Sequence, residues 1–117
     1  MAASTSNPEA PPLTPAMHHI LLALLEGDRH GYAIMQAIEV ISRGEMRLGP
    51  GTLYTSIKKL LDSKLIEESD ERPDADDERR RYYRLSSAGR EAVVAETRRL
   101  SRLVAYAHKH ARLGVFA

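Results

Sequence analysis

The stretch Leu48-Gly49-Pro50-Gly51-Thr52-Leu53-Tyr54-Thr55-Ser56-Ile57-Lys58-Lys59-Leu60-Leu61 constrains this chain more than any other. Its glycines punctuate a turn, and Pro50 suits the first turn of a helix, where a missing N–H costs nothing. Thr52 or the Gly51 backbone is placed to serve the early helical amides. At 100° per residue from Leu53, Ile57, Leu60 and Leu61 gather on one side. Thr52, Thr55, Lys58, Lys59 and Asp62 fall on the other. Such a helix buries one face and shows hydroxyls and ammonium groups on the opposite one. That suits a DNA major groove, and it equally suits plain water, so its neighbours must decide.

Upstream, residues Met1 to Leu13 mix Ala, Ser, Pro and Asn without periodicity and read as a disordered tail. Thr14-Pro15 supplies an N-cap and a first-turn proline. The helix they start carries Met17, Ile20, Leu21, Leu24 and Leu25 on one broad face and ends near Gly27. Leu22 points elsewhere, toward a second packing partner. After a break at Arg29-His30-Gly31, Tyr32 to Ile41 forms a second helix with Ile34, Ala37, Ile38 and Ile41 as its buried stripe. Three short helices joined by Gly-bearing turns match the helix-turn-helix scheme.

Downstream, Leu65-Ile66-Glu67-Glu68 reads as a strand, and Arg81-Tyr82-Tyr83-Arg84-Leu85 returns as a second across a polar loop containing Pro73. Alternation predicts Tyr83 and Leu85 on one face and Tyr82 and Arg84 on the other. Ser86 caps a final helix of about 26 residues, roughly 39 Å long, ending near Gly114. Val93, Leu100, Val104, Ala107 and Ala111 lie in a narrow arc on it, widened by Leu103 and Ala92 and interrupted by Glu96. A protruding helix with an apolar stripe must bury it somewhere, and a second copy of the chain is the economical partner. The expected dimerisation set is Leu22, Val93, Leu100, Leu103, Val104, Ala107 and Ala111.

The expected organisation is a tail over 1–13, a winged helix-turn-helix domain over 14–85 and a dimerisation helix with a short tail over 86–117. The fold class is mainly α with a two-stranded β wing. The chain's 117 residues suffice for one modest core, which dimerisation would enlarge. Cysteine is absent, so no disulfide, thiolate metal site or thiol nucleophile exists, in keeping with a reducing cytoplasm. The longest apolar run, Ile20 to Leu25, falls far short of the ~20 residues that span a bilayer. No signal-peptide pattern begins the chain.

A net charge of +1 conceals an asymmetry. Glu67, Glu68, Asp70, Glu71, Asp74, Asp76, Asp77 and Glu78 hold half of the sixteen carboxylates, and Arg79-Arg80-Arg81 follows at once. Distribution matters more than the total here.

Taken in order, His30-Gly31-Tyr32-Ala33-Ile34, Gly49-Pro50-Gly51-Thr52-Leu53-Tyr54, Lys59-Leu60, Leu65-Ile66-Glu67 and Arg81-Tyr82-Tyr83-Arg84-Leu85 with Gly89 closely resemble the PadR-like transcriptional regulators of prokaryotes. The match spans roughly Ile20 to Arg90, and its motifs agree in content and spacing. The resemblance implies a winged helix-turn-helix, a C-terminal dimerisation helix and a palindromic DNA operator bound as a repressor. The single C-terminal helix resembles the smaller subfamily. Two positions depart from the pattern. Lys64 stands where glycine is common after the recognition helix, and a left-handed non-glycine costs about 1 kcal/mol. Ser87 stands where proline is common. The wing loop is also unusually acidic.

The expected DNA-binding residues are Tyr32, Thr52, Tyr54, Thr55, Lys58, Lys59, Arg79, Arg80 and Arg81. Lysines neutralise phosphates or meet guanine acceptors, while hydroxyls contact bases or backbone. Tyr32 either brings its hydroxyl and helix N-terminus to a phosphate or packs the turn as a half-buried aromatic. The three arginines either reach phosphate and minor groove or pair internally with Asp76, Asp77 and Glu78. His18, His19, His30, His108 and His110 do not fall at metal-ligand spacing. No catalytic constellation or phosphate loop is present, so neither an enzyme nor a cofactor is expected.

A homodimeric operator-binding repressor in the cytoplasm is the favoured function. A cleft between dimer helices is a candidate site for a small apolar or phenolic effector, with Tyr106 and Phe116 the aromatics available there. The alternative is a winged-helix protein–protein interaction module whose acidic wing meets a basic partner.

Overall fold

The computed structural model describes residues 12–70 and 80–111. Its order is α1 (Pro15–Ala23), β1 (Arg29–His30), α2 (Gly31–Ile41), α3 (Pro50–Asp62), β2 (Ile66–Ser69), β3 (Tyr82–Leu85) and α4 (Ser87–Ala111). Residues 1–11 of the expected disordered tail, the Pro73 loop, Arg79, Gly114 and Phe116 lie outside the described residues, whereas Leu13, the last residue of that expected tail, is partly buried against the core.

Thr14 caps α1 as its sequence predicts: its hydroxyl accepts from the Met17 amide at 3.1 Å, with Pro15 in the first turn. The helix stops at Ala23, four residues before Gly27, and Arg29 closes it by donating from Nε to the Ala23 carbonyl at 2.8 Å. Leu25 therefore falls beyond the helix and is exposed, contrary to its place in the expected apolar face. Likewise Ile41, the last residue of α2, reaches past the core and is exposed. Ile34 and Ile38 carry the stripe alone, with Ala37 half-buried. A helical period extrapolated to an element's end loses its meaning where the backbone turns away.

Met17, Ile20, Leu21 and Leu24 from the α1 segment interlock with Ile34 and Ile38 of α2 and Leu53, Ile57 and Leu60 of α3. These side chains form one contiguous apolar core, the main favourable term in a domain this small. The strands form an antiparallel sheet ordered β1-β3-β2. The expected β2–β3 wing is present, with Ile66 opposite Leu85 and Ser69 opposite Tyr82. β1 adds a third strand that the sequence reading treats as a break, pairing Arg29 with Tyr83 and His30 with Tyr82.

That extra strand places β3 at the centre of the sheet. Tyr82 and Tyr83 are both buried, because β3 is the central strand and both faces are covered at that point. The Tyr82 ring meets the His30 ring edge-on, with centroids 5.3 Å apart.

Lys64 adopts φ 63°, the left-handed conformation in which glycine is favoured. Its carbonyl accepts from the Ser86 hydroxyl at 2.7 Å, and the same hydroxyl caps α4 by accepting from the Gly89 amide at 3.0 Å. A side chain on Gly89 would overlap the Leu65 carbonyl. α4 thus leaves the domain from a tightly fixed base. Val93 is buried in the protomer's own core, whereas Leu100, Leu103 and Val104 are exposed. Of the expected dimerisation set, Val93 therefore has packing partners within one chain.

Candidate nucleic-acid interface

α3 begins at an N-cap, Gly49, that makes no side-chain capping hydrogen bond, with Pro50 in the first turn. Thr52 consequently has no capping duty and stands exposed. Burial of Leu53, Ile57 and Leu60 fixes the rotation of the helix, so the opposite face must point outward. Thr52, Tyr54, Thr55, Lys58 and Lys59 are all exposed there. Lys58 is engaged with Asp62 at 3.2 Å, one turn on. Among the described residues Lys59 carries no ion pair, so its full charge faces outward. A groove of about 610 Å³ runs between this face and the start of α1, lined by Thr14, Pro15, Thr52, Thr55 and Lys59 among others.

A second concavity of about 260 Å³ lies where the start of α2, the middle of α3 and the wing meet, lined by His30, Gly31, Tyr54, Arg80, Arg81 and Tyr83. Tyr54 leans over Gly31, in the space a side chain there would occupy. Arg80 Nη1 lies 3.1 Å from His30 Nε2. Arg81 is bonded to Glu68 across the wing at 3.2 Å, and Arg84 to Glu67 at 3.0 Å. The internal pairing weighed for Arg81 therefore exists, but with Glu68 on β2. Both groups of that pair are solvent-exposed, which limits its worth. Burial pushes the Tyr83 hydroxyl above its ordinary range, with Glu68 acting in the same direction, so Tyr83 stays a neutral donor.

The site residues thus fall into two adjoining groups. Thr52, Thr55 and Lys59 share the outer face of α3. Tyr54, Arg80 and Arg81 converge beside the start of α2. Tyr32 is exposed one residue into α2 and lines neither cavity. Sequence reasoning missed His30, which caps α2 through Nδ1, 3.2 Å from the Ala33 amide, while its other nitrogen faces Arg80. Its place directly before an apolar-periodic run was the available signal, but histidine is not among the usual capping residues. Among the described residues no cluster of three or more His, Asp or Glu could hold a metal ion. No described helix is long and apolar enough to cross a membrane.

A three-helix core with an outward polar helix, flanked by a two-stranded hairpin and followed by a long helix, defines a winged helix-turn-helix protein. Residues 20–95 match the model of the transcriptional regulator PadR-like family, and the chain belongs to that family. Members of this family are DNA-binding transcriptional regulators rather than enzymes. A PadR family transcription regulator from Clostridium difficile has a similar structure, with a TM-score of 0.70 over 82% of this chain and 97% of that one at 23% identity. RosR of H. salinarum is 30% identical, with a TM-score of 0.65 over 92% of this chain and 93% of its own. An uncharacterized 37.1 kDa protein of transposon TN4556 from Streptomyces fradiae is 40% identical over 84 residues. That stretch is 72% of this chain, and the chain spans only 22% of that relative's length.

Proposed function

We propose that this chain is a homodimeric, cytoplasmic repressor that binds a palindromic double-stranded operator. Two copies of α3 enter successive major grooves about 34 Å apart, and the wings lie over the flanking backbone. The observation that carries this reading is the division of α3 itself. Leu53, Ile57 and Leu60 are locked in the core, while Thr52, Thr55 and Lys59 stand exposed beside a cleft. Lys59 meets phosphate or guanine, and Thr55 reads a base edge. Tyr32, Tyr54, Lys58 and Arg79 to Arg81 hold the backbone on either side.

Dimerisation joins the exposed Leu100, Leu103 and Val104 of two α4 helices, with Ala107, Ala111 and Leu22 at the margins. The space between those helices is where a small apolar or phenolic effector would act. Titrating phenolic acids and cationic drugs against the protein–DNA complex tests this, and unchanged affinity removes those classes.

The deciding experiment is selection of duplexes from a random-sequence library, followed by affinity measurement at several salt concentrations. Enrichment of an inverted repeat, with binding that weakens steeply as salt rises, is expected. No enrichment and no salt-dependent retention would leave the interaction-module reading.

A further inference from the structure

The starts of α1 and α3 open onto the same groove, the one of about 610 Å³ that Ser56 and Lys59 also line. Neither helix has an acidic residue in its first turn, so two positive helix ends meet there uncompensated. In α1, Pro15 has no N–H, while the Met17 amide donates to the Thr14 hydroxyl and the His18 amide to the Thr14 carbonyl. The Ala16 amide is left without a partner among the described residues. The Gly51 and Thr52 amides of α3 stand likewise, since Gly49 supplies no side-chain cap.

Ser56 shows that the groove is more than two solvated helix ends. The residue is only 7% exposed, yet its hydroxyl makes no hydrogen bond among the described residues. Ser69, the other buried polar residue described, is bonded to Asp28, as buried polar groups almost always are. Nor is the Ser56 hydroxyl sealed off: among the described residues, only His18 Nε2 is both unpartnered and fully enclosed. Ser56 therefore opens into the groove it lines and offers a proton there. Lys59 is the one charged side chain among the described lining residues. Asp62, the one carboxylate of α3, is engaged with Lys58.

We propose that this groove seats one backbone phosphate of the bound duplex, held by the two helix starts, the Ser56 hydroxyl and the Lys59 ammonium group. The inference rests on the DNA-binding function proposed above, and it adds α1 and Ser56 to the contact surface. Met17 and Ile57 are locked in the core on either side, so the donors are in place before DNA arrives. A phosphate held here ties α1 as well as α3 to the backbone and sets how α3 enters the major groove. Such a contact carries no sequence information of its own.

The test combines three variants with methylphosphonate replacement, which removes the charge from one phosphate at a time in the duplex enriched by the wild-type chain. Ser56→Ala should weaken binding roughly threefold to tenfold, with an unchanged salt slope because the hydroxyl is neutral. Lys59→Gln should flatten that slope by about one ion. Ala16→Glu puts a carboxylate where a helix start favours it, so its melting temperature should be no lower than wild type. Its affinity should nevertheless fall about tenfold or more, and equally for enriched and unrelated duplexes. One phosphate in each half-site should matter to the wild-type chain and no longer matter to Ala16→Glu. Wild-type affinity in either Ser56→Ala or Ala16→Glu, or an unaltered pattern of sensitive phosphates in Ala16→Glu, would overturn the seat while leaving DNA binding intact. Should Ala16→Glu not fold, Ser56→Ala on the same modified duplexes decides: losses that add fully overturn the seat. Inorganic phosphate at matched ionic strength should compete weakly, and displacement of the duplex by millimolar phosphate would assign the groove to a free anion instead. Failure of the wild-type chain to enrich any duplex would remove the seat together with the DNA-binding reading.

Discussion

The phenol of Tyr54 occupies the space where a side chain on Gly31 would project, its Cζ only 2.9 Å from an ideal Cβ at that position. Gly31 opens α2, and Tyr54 rises from α3, so this contact sets the two helices of the motif against each other at the surface proposed to meet DNA. The requirement for glycine here is one of space. The obstructing group is the far end of a half-exposed side chain, which can swing away at small cost. Gly31→Ala should therefore fold with a thermal midpoint close to wild type, yet displace the Tyr54 hydroxyl. A loss of roughly threefold to tenfold in DNA affinity is expected, about the worth of one hydrogen bond. Adding Tyr54→Phe to Gly31→Ala should cause no further loss. Full affinity in Gly31→Ala would show that the Tyr54 placement is irrelevant to binding.

Such contacts explain what was legible in the sequence and what was not. Thr14-Pro15, the two-faced α3 and Ser86 were readable because capping and helical periodicity are local and involve residues within a few positions. β1 was not. It is two residues long, and its register partners Tyr82 and Tyr83 are supplied by a distant part of the chain. Without β1, alternation separates Tyr82 from Tyr83 but does not show that Tyr82 is buried beside His30. Leu25 and Ile41 failed for a different reason: the period continued in the sequence after the helix or core had ended. Within the site, the outward face of α3 followed from its apolar side. The meeting of Tyr54, Arg80 and His30 required knowing how the wing folds back.

Lys64 offers a test of backbone strain separate from function. It holds φ 63° at the turn between α3 and β2, and its carbonyl, not its side chain, anchors Ser86. Lys64→Gly removes the Cβ penalty of the left-handed conformation, about 1 kcal/mol, and keeps that anchor. Greater freedom of the unfolded chain offsets part of the gain. The net result should be a thermal midpoint higher by a few degrees, with DNA affinity at high salt unchanged. An unchanged or lower midpoint would mean that the turn carries no relievable strain.

His18 links stability to pH. Its Nε2 is buried without a hydrogen-bond partner among the described residues. Burial lowers its pKa from the ordinary 6.5; Glu96 on α4 opposes the shift, while His19 and Arg99 reinforce it. The folded state therefore binds the proton less readily than the unfolded state. Stability from this group is fully present above the ordinary histidine value and is lost as pH falls from about 6.5 through the lowered folded pKa. Melting temperature should decline across that window. His18→Met, which replaces the ring with an adaptable apolar chain, should flatten the decline. An identical decline in wild type and variant would assign it to the other histidines.

α4 divides into a part that folds the monomer and a part that is available to join two. Val93 lies in the core, whereas Leu103 and Val104 are 55% and 48% exposed one helical stretch later. Val93→Ala should destabilise each protomer by about 2 kcal/mol through lost packing without directly removing an intersubunit contact. Leu103→Lys/Val104→Lys should leave the protomer core intact but place ammonium groups on the apolar stripe. Sedimentation should then report a monomer of normal helicity, and operator affinity should fall more than affinity for a single half-site, because linked half-sites gain from effective concentration. A variant that stays dimeric would move the interface away from α4. Equal losses on full and half operators would separate dimerisation from DNA recognition.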